Sequence, residues 1–144
     1  MKKVFLDTNI LLDAIQKRQN CQFAETIILL GKKAMLELCV SVISYPTIAY
    51  VLRKQPKPEI YRLLNTFSDS MTILPTNSQM FKAAITAQAD DFEDMLQYQT
   101  AISYNCDALI TNNIKDFIEF AENIKIQTAK EFLVEFDNED DGSL

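Results

Sequence analysis

Five brief apolar runs punctuate the chain, at Lys3–Leu6, Leu38–Ser41, Met71–Leu74, Ala108–Ile110 and Ile124–Gln127. Each is too short for an ordinary helix, and none alternates cleanly between apolar and polar residues. That pattern predicts strands buried on both faces. The stretches between them carry helical periodicity, at about Asn9–Lys17, Phe23–Ala34, Ile43–Arg53, Glu59–Phe67, Ser78–Ala87 and Phe92–Tyr104, with a last one at Ala129–Phe136. Strand–helix alternation predicts an α/β fold with a central, mostly parallel sheet of about five strands and helices on both faces. Punctuation agrees: Pro56 and Pro58 divide two helices, Pro75 ends a strand, and Asp90 with Glu93 three residues on reads as a capping box. Ligands of such sheets bind at the carboxyl ends of the strands.

Several chemistries are excluded by what the chain lacks. Only two glycines occur, so neither a dinucleotide-binding nor a P-loop phosphate cradle can be built. There is no His, and Cys21, Cys39 and Cys106 are widely spaced. Structural zinc and the usual Ser/His or Cys/His nucleophile pairs are therefore excluded, and reduced, mostly buried thiols are expected. No apolar run approaches the roughly 20 residues of a membrane span, and Asp7 interrupts the only segment a secretory signal could use, so the expected location is cytoplasmic. The net charge is −6, but five of the acids fall in "EFDNEDDGSL", which leaves the rest of the chain close to neutral. The expected organisation is one domain over residues 1–136 and a flexible acidic tail over 137–144; truncation after Phe132 should strengthen binding of any phosphate-bearing ligand at low salt. Small basic groups, Lys17-Arg18, Lys32-Lys33 and Arg53-Lys54 with Lys57 and Arg62, could line a phosphate-binding rim or simply confer solubility.

Three acids fall at places where such a sheet puts its chemistry. Asp7 ends the first strand, between the apolar runs Val4-Phe5-Leu6 and Ile10-Leu11-Leu12. Asp94 lies in the first turn of a helix, and Asp116 follows "ALITNN". Asn9, Thr111, Asn112 and Asn113 supply neutral oxygens beside them. Each acid alone has an ordinary reading: Asp7 as a helix cap, Asp94 as a charge at a helix amino end, Asp116 and the two asparagines as turn formers. Gathered together, carboxylates repel unless a cation lies between them. An all-oxygen, His-free set of this kind suits Mg²⁺ or Mn²⁺, and such an ion can assist phosphodiester hydrolysis.

At these residues the chain resembles the PIN-domain nucleases. "VFLDTNILLD" is similar to the family's first motif, and "DFEDMLQYQTAISYNCDALITNNIKDF" to its distal block, in which an Asp opens a helix and T-x-N-x-x-D-F follows a strand. The resemblance spans residue 4 to about 117. It implies a three-layer α/β/α sandwich, with Asp7, Asp94 and Asp116 as catalytic metal ligands and Asn9, Asn113, Asn112 and Thr111 as polar supports. It further implies Mg²⁺- or Mn²⁺-dependent hydrolysis of RNA, a small antitoxin as partner, as in toxin–antitoxin pairs of the VapC type, and a homodimer.

The resemblance breaks at one place. The family often carries a Glu in the helix after the second strand, where this chain has Thr47 within "SVISYPTIAYVL". No acid lies between Leu38 and Gln55, so the implied site holds three acids. Asp91 and Glu93 lie near enough in sequence to Asp94 for one to substitute, and helix direction favours Asp94 and Asp91 on a similar face. The departure leaves a catalytically weak RNA- or protein-binding module as an alternative. An Asp-nucleophile phosphatase is the third reading. It needs a second Asp two residues after the first, where Asn9 stands.

Overall fold

Five parallel strands form one sheet in the order β3-β2-β1-β4-β5. The computed structural model describes residues 1–120 and 122–142, with side chains in the last helix described through residue 139. The strands are β1 (Lys3–Leu6), β2 (Glu37–Ser41), β3 (Thr72–Leu74), β4 (Ala108–Ile110) and β5 (Lys125–Gln127). The helices are α1 (Thr8–Gln16), α2 (Cys21–Lys32), α3 (Ser44–Val51), α4 (Lys57–Ser70), α5 (Ser78–Ala87), α6 (Phe92–Ser103) and α7 (Ala129–Gly142). All five expected strands and all seven expected helices are present.

The short runs are strands because the sheet buries both of their faces. Val4 and Leu6 join Leu38, Val40, Ala108 and Ile110 in one core with residues of α1, α2, α3, α4 and α7. Phe5 and Leu109 point the other way, into a second core with Cys39, Leu74, Ala84 of α5 and Met95, Leu96 and Ala101 of α6. The result is the expected three-layer α/β/α sandwich. Cys39 and Cys106 are buried and Cys21 half-buried, all as free thiols.

Three local features differ from expectation. The cap of α6 is Asp91, one residue later than Asp90: its Oδ1 accepts from the Asp94 N–H at 2.9 Å. Two 3-10 turns, over Ile114–Asp116 and Ile118–Phe120, follow β4 and carry Asp116. The last helix runs six residues beyond Phe136 and so takes in much of the acidic segment, while residues 143 and 144 lie outside the described residues. Glu139 of that segment pairs with Lys2 at 2.6 Å, at the amino end of β1.

Strand order places the site. From β1 the chain builds outward through β2 and β3, then crosses to the far side of β1 for β4 and β5. The reversal leaves a crevice at the carboxyl ends of β1 and β4, the switch point where open α/β sheets bind ligands.

Candidate metal centre

Asp7 stands at that switch point. Its backbone N–H donates to Ile110 O at 3.0 Å and so extends the β1–β4 ladder. Its side chain is 1% exposed. One carboxylate oxygen, Oδ2, accepts from Thr111 Oγ1 at 2.8 Å; the other, Oδ1, is buried without a partner. Asp7 occupies the N-cap position of α1, yet its side chain makes no capping hydrogen bond. The Thr8 and Asn9 backbone N–H groups lie near enough to favour its charged form, but none meets hydrogen-bond geometry. The capping explanation for Asp7 thus lacks its hydrogen bond. Burial pushes the Asp7 carboxyl up to about 6, Thr111 and the two backbone N–H groups oppose this, and the charge of Glu93 adds to it.

Asp94 is half-buried in the first turn of α6. Burial is the largest cause raising its carboxyl to about 7, followed by the charges of Asp7, Asp91, Asp116 and Glu93. Asp94, in α6, is therefore close enough to feel the charges of Asp7, which follows β1, and of Asp116, in the turn after β4. Asp116 itself is exposed, and its N–H donates to Asn113 O at 3.0 Å. None of the ion pairs among the described residues involves Asp7, Glu93, Asp94 or Asp116. Nor do three or more acids among the described residues form a ready-made cage. Carboxylates facing one another without a cation are held apart by repulsion.

The neutral candidates divide. Thr111 is buried and holds Asp7, and the Asn113 N–H donates to Thr111 Oγ1 at 3.0 Å, fixing that hydroxyl. Asn9 is half-buried and approaches Asp7 through its backbone. Asn112 does not join the acids: its amide donates to Asp13 Oδ2 at 2.6 Å, and Asp13 also pairs with Arg18 at 3.5 Å. That pair borders a hollow of about 440 Å³ with Gln19, Asn20, Thr128 and Lys130. Thr47 of α3 is half-buried, with Oγ1 3.2 Å from Glu93 Oε1.

A polar brace behind the acids was not foreseen. Gln97 of α6 is 1% exposed; its carbonyl accepts from the Thr8 N–H at 3.2 Å and its amide donates to Thr8 Oγ1 at 3.1 Å. Thr8 Oγ1 also lies 2.7 Å from Ser44 Oγ. Side chain and backbone together tie the start of α1 to α6 and α3. Gln97 is four residues after Glu93, on the same helix face, and that spacing was the available signal.

The donor set fits a hard divalent cation: every candidate ligand is oxygen, and the unpartnered Asp7 Oδ1 is a buried acceptor that a cation would satisfy. A family model described as the PIN domain matches residues 3–115. Comparison with curated proteins finds no match. Among solved structures, the chain is similar to VapBC2 from Rickettsia felis bound to a promoter DNA fragment, with 24% identity and a TM-score of 0.68 over 88% of this chain and 98% of that one. It is similar to VapBC-1 from nontypeable Haemophilus influenzae, at 21% and 0.67 over 89% and 98%. It is also similar to a toxin–antitoxin complex from Klebsiella pneumoniae, at 18% and 0.66 over 88% and 97%. At such identities the likeness is one of fold. The family model spans most of the chain, with strands β1 to β4 and the acids Asp7 and Asp94, while Asp116 lies one residue past its end; the chain belongs to the PIN domain family.

Proposed function

We propose that this chain is a Mg²⁺- or Mn²⁺-dependent endoribonuclease and the toxin of a toxin–antitoxin pair. The observation that carries the reading is Asp7 Oδ1, buried and unpartnered in a carboxylate whose charge Asp94 feels, with none of these acids ion-paired among the described residues. Such an arrangement is costly for a fold that has no use for it. Asp7, Asp94 and Asp116 would hold the ion. When bound, it supplies neutralisation of the carboxylates and Lewis acidity for phosphodiester hydrolysis. The protein's own part is orientation. Thr111 fixes the Asp7 carboxylate, Asp91 anchors the turn that presents Asp94, and the Thr8–Gln97–Ser44 brace holds α1 against α6 and α3. Arg18, paired with Asp13, and Lys130 line the hollow beside Asn112 and would take backbone phosphates of an RNA strand.

The partner in this reading is a small antitoxin, as in the complexes to which the fold is similar. A groove of about 530 Å³ between α1, α2 and α4, lined by Ile15, Ile28, Leu63 and Phe67 and rimmed by Lys17 and Lys32, offers it an apolar seat. Exposed Phe81, Ile85 and Phe92 on α5 and α6 offer a second copy an apolar face.

One experiment tests the reading. Purified protein is incubated with structured and unstructured RNAs in Mn²⁺, Mg²⁺ or EDTA, beside Asp7→Asn. Cleavage that needs the metal and is lost in the variant is expected. RNA binding without cleavage in any metal would instead favour a binding module, the reading that Thr47 supports.

A further inference from the structure

We propose that Glu93 is the fourth acid of the metal centre, supplied by α6 in place of the acid that α3 lacks. The inference rests on the metal-centre reading above and concerns which side chains build it. Residues Ser44–Val51 of α3 include no acid. In the acid's place, Thr47 turns its hydroxyl toward Glu93, with Oγ1 3.2 Å from Oε1. Thr47 has one proton, and its other acceptor, Ile43 O, is farther, at 3.4 Å. Thr8 Oγ1 approaches the same Oε1 at 3.5 Å. That hydroxyl already accepts from the Gln97 amide, so its proton is free for Ser44 or for Glu93. Glu93 Oε1 therefore sits where α1, α3 and α6 meet, against the hydroxyl of Thr47, the residue that stands in place of the α3 acid.

Neutral hydroxyls can hold a carboxylate without cancelling its charge, and no Lys or Arg pairs with Glu93 among the described residues. Its charge reaches both Asp7 and Asp94. Asp91, the other acid near enough in sequence, is exposed and occupied in capping α6, which leaves Glu93 as the acid available. The independent sign of a ligand is again Asp7 Oδ1, unpartnered in a side chain that is 1% exposed. Glu93 also has the length for the task. It is one methylene longer than an Asp and starts from the half-buried edge of α6, with Gln97 four residues on braced against Thr8.

The test is calorimetric titration with Mn²⁺ of the wild type, Asp7→Asn, Glu93→Gln and the double variant Thr47→Glu/Glu93→Gln, with melting curves in EDTA. Glu93→Gln keeps the shape and the hydroxyl contacts while removing the charge. It should bind Mn²⁺ about tenfold or more weakly and melt, metal-free, no lower than the wild type. Returning an acid to α3 in the double variant should recover most of the affinity. Glu93→Asp, equally charged but shorter, is a second probe should Glu93→Gln fold poorly, and it too should bind more weakly. If Glu93→Gln binds as tightly as the wild type while Asp7→Asn has lost binding, the metal centre stands and the fourth acid is overturned. A Glu93-dependent Mn²⁺ site in a protein that cleaves no RNA would uphold the fourth acid and sink the nuclease reading. No Mn²⁺ binding by the wild type would overturn both.

Discussion

Asp7 is an acid that the metal-free fold tolerates at a cost. A carboxyl near 3.8 in the unfolded chain is held at about 6 in the folded one, chiefly by burial. The folded state therefore binds a proton that the unfolded state has already lost once pH exceeds about 4. Stability falls as pH rises through that window and levels off above the folded value. Two pH units correspond to about 3 kcal/mol, so Asp7→Asn, which cannot ionise, should be at least as stable as the wild type at pH 8 in EDTA. The advantage should shrink or reverse at pH 4. An ordinary capping Asp behaves oppositely, its loss costing about 0.5–2 kcal/mol. Excess Mn²⁺ should raise the wild-type Tm more than the variant's, because a ligand bound only by the native state stabilises it in proportion to its occupancy. Melting curves at pH 4 and 8, with EDTA and with Mn²⁺, give the comparison. An Asp7→Asn protein destabilised equally at both pH values, and shifted equally by Mn²⁺, would make Asp7 structural.

At the scale of elements, α2 and β2 pack too closely at Gly31 for a side chain. Gly31 lies near the end of α2, and a Cβ built there would stand 2.6 Å from Leu38 Cγ and closer still to its Cδ1. Leu38 is 2% exposed and part of the core beneath α1 and α2, so its side chain has little room to retreat. Ala is the better helix former by about 1 kcal/mol, but overpacking a core typically costs about 1–3 kcal/mol. Gly31→Ala should therefore lower Tm despite its gain in helix propensity. A Tm equal to or above the wild type's would mean that Leu38 finds another rotamer at no cost. The same element logic moves the α6 cap from Asp90 to Asp91. With Asp91 bonded to the Asp94 N–H, Glu93 is released from the box role its spacing implied and turns toward α1 and α3.

For the whole molecule, Glu139 of the acidic segment lies at the wrong edge to screen the site. Glu139 pairs with Lys2, which precedes β1, whereas Asp7 follows it. Four strand residues separate these edges by about 13 Å, beyond the Debye length of about 8 Å at physiological salt. The double substitution Asp137→Asn/Glu139→Gln should therefore change RNA affinity less than about twofold at that salt, and a fluorescence-anisotropy titration measures it. A severalfold gain would mean that this segment reaches the RNA-binding face. Truncation after Phe132 is the poorer test: Phe132 is 2% exposed, stacks on Phe136 at 6.1 Å and belongs to the core where α7 meets α2. No helix among the described residues is long and apolar enough to cross a membrane.

The order and type of every strand and helix were legible because burial on both faces imposes an unbroken apolar run on each strand, and helical periodicity separates them. Asp7 and Asp94 could be singled out for a related reason: an acid directly after a buried strand, or opening a helix, stands out against an apolar background, whereas Asp116 lies farther past β4 and is marked by the T-x-N-x-x-D-F resemblance. What lay beyond reach was partner choice. The sequence contains Asn112, Asn113 and Thr111 side by side, yet only the folded chain turns Thr111 to Asp7 and Asn112 to Asp13. It contains Asp91 and Glu93 on either side of Phe92, yet only the packing of α6 against α1 and α3 assigns one to the cap and the other to Thr47. Periodicity records which residues are buried. The direction of a polar side chain is decided by donors and acceptors contributed from distant segments, and these meet only when the sheet and its helices assemble.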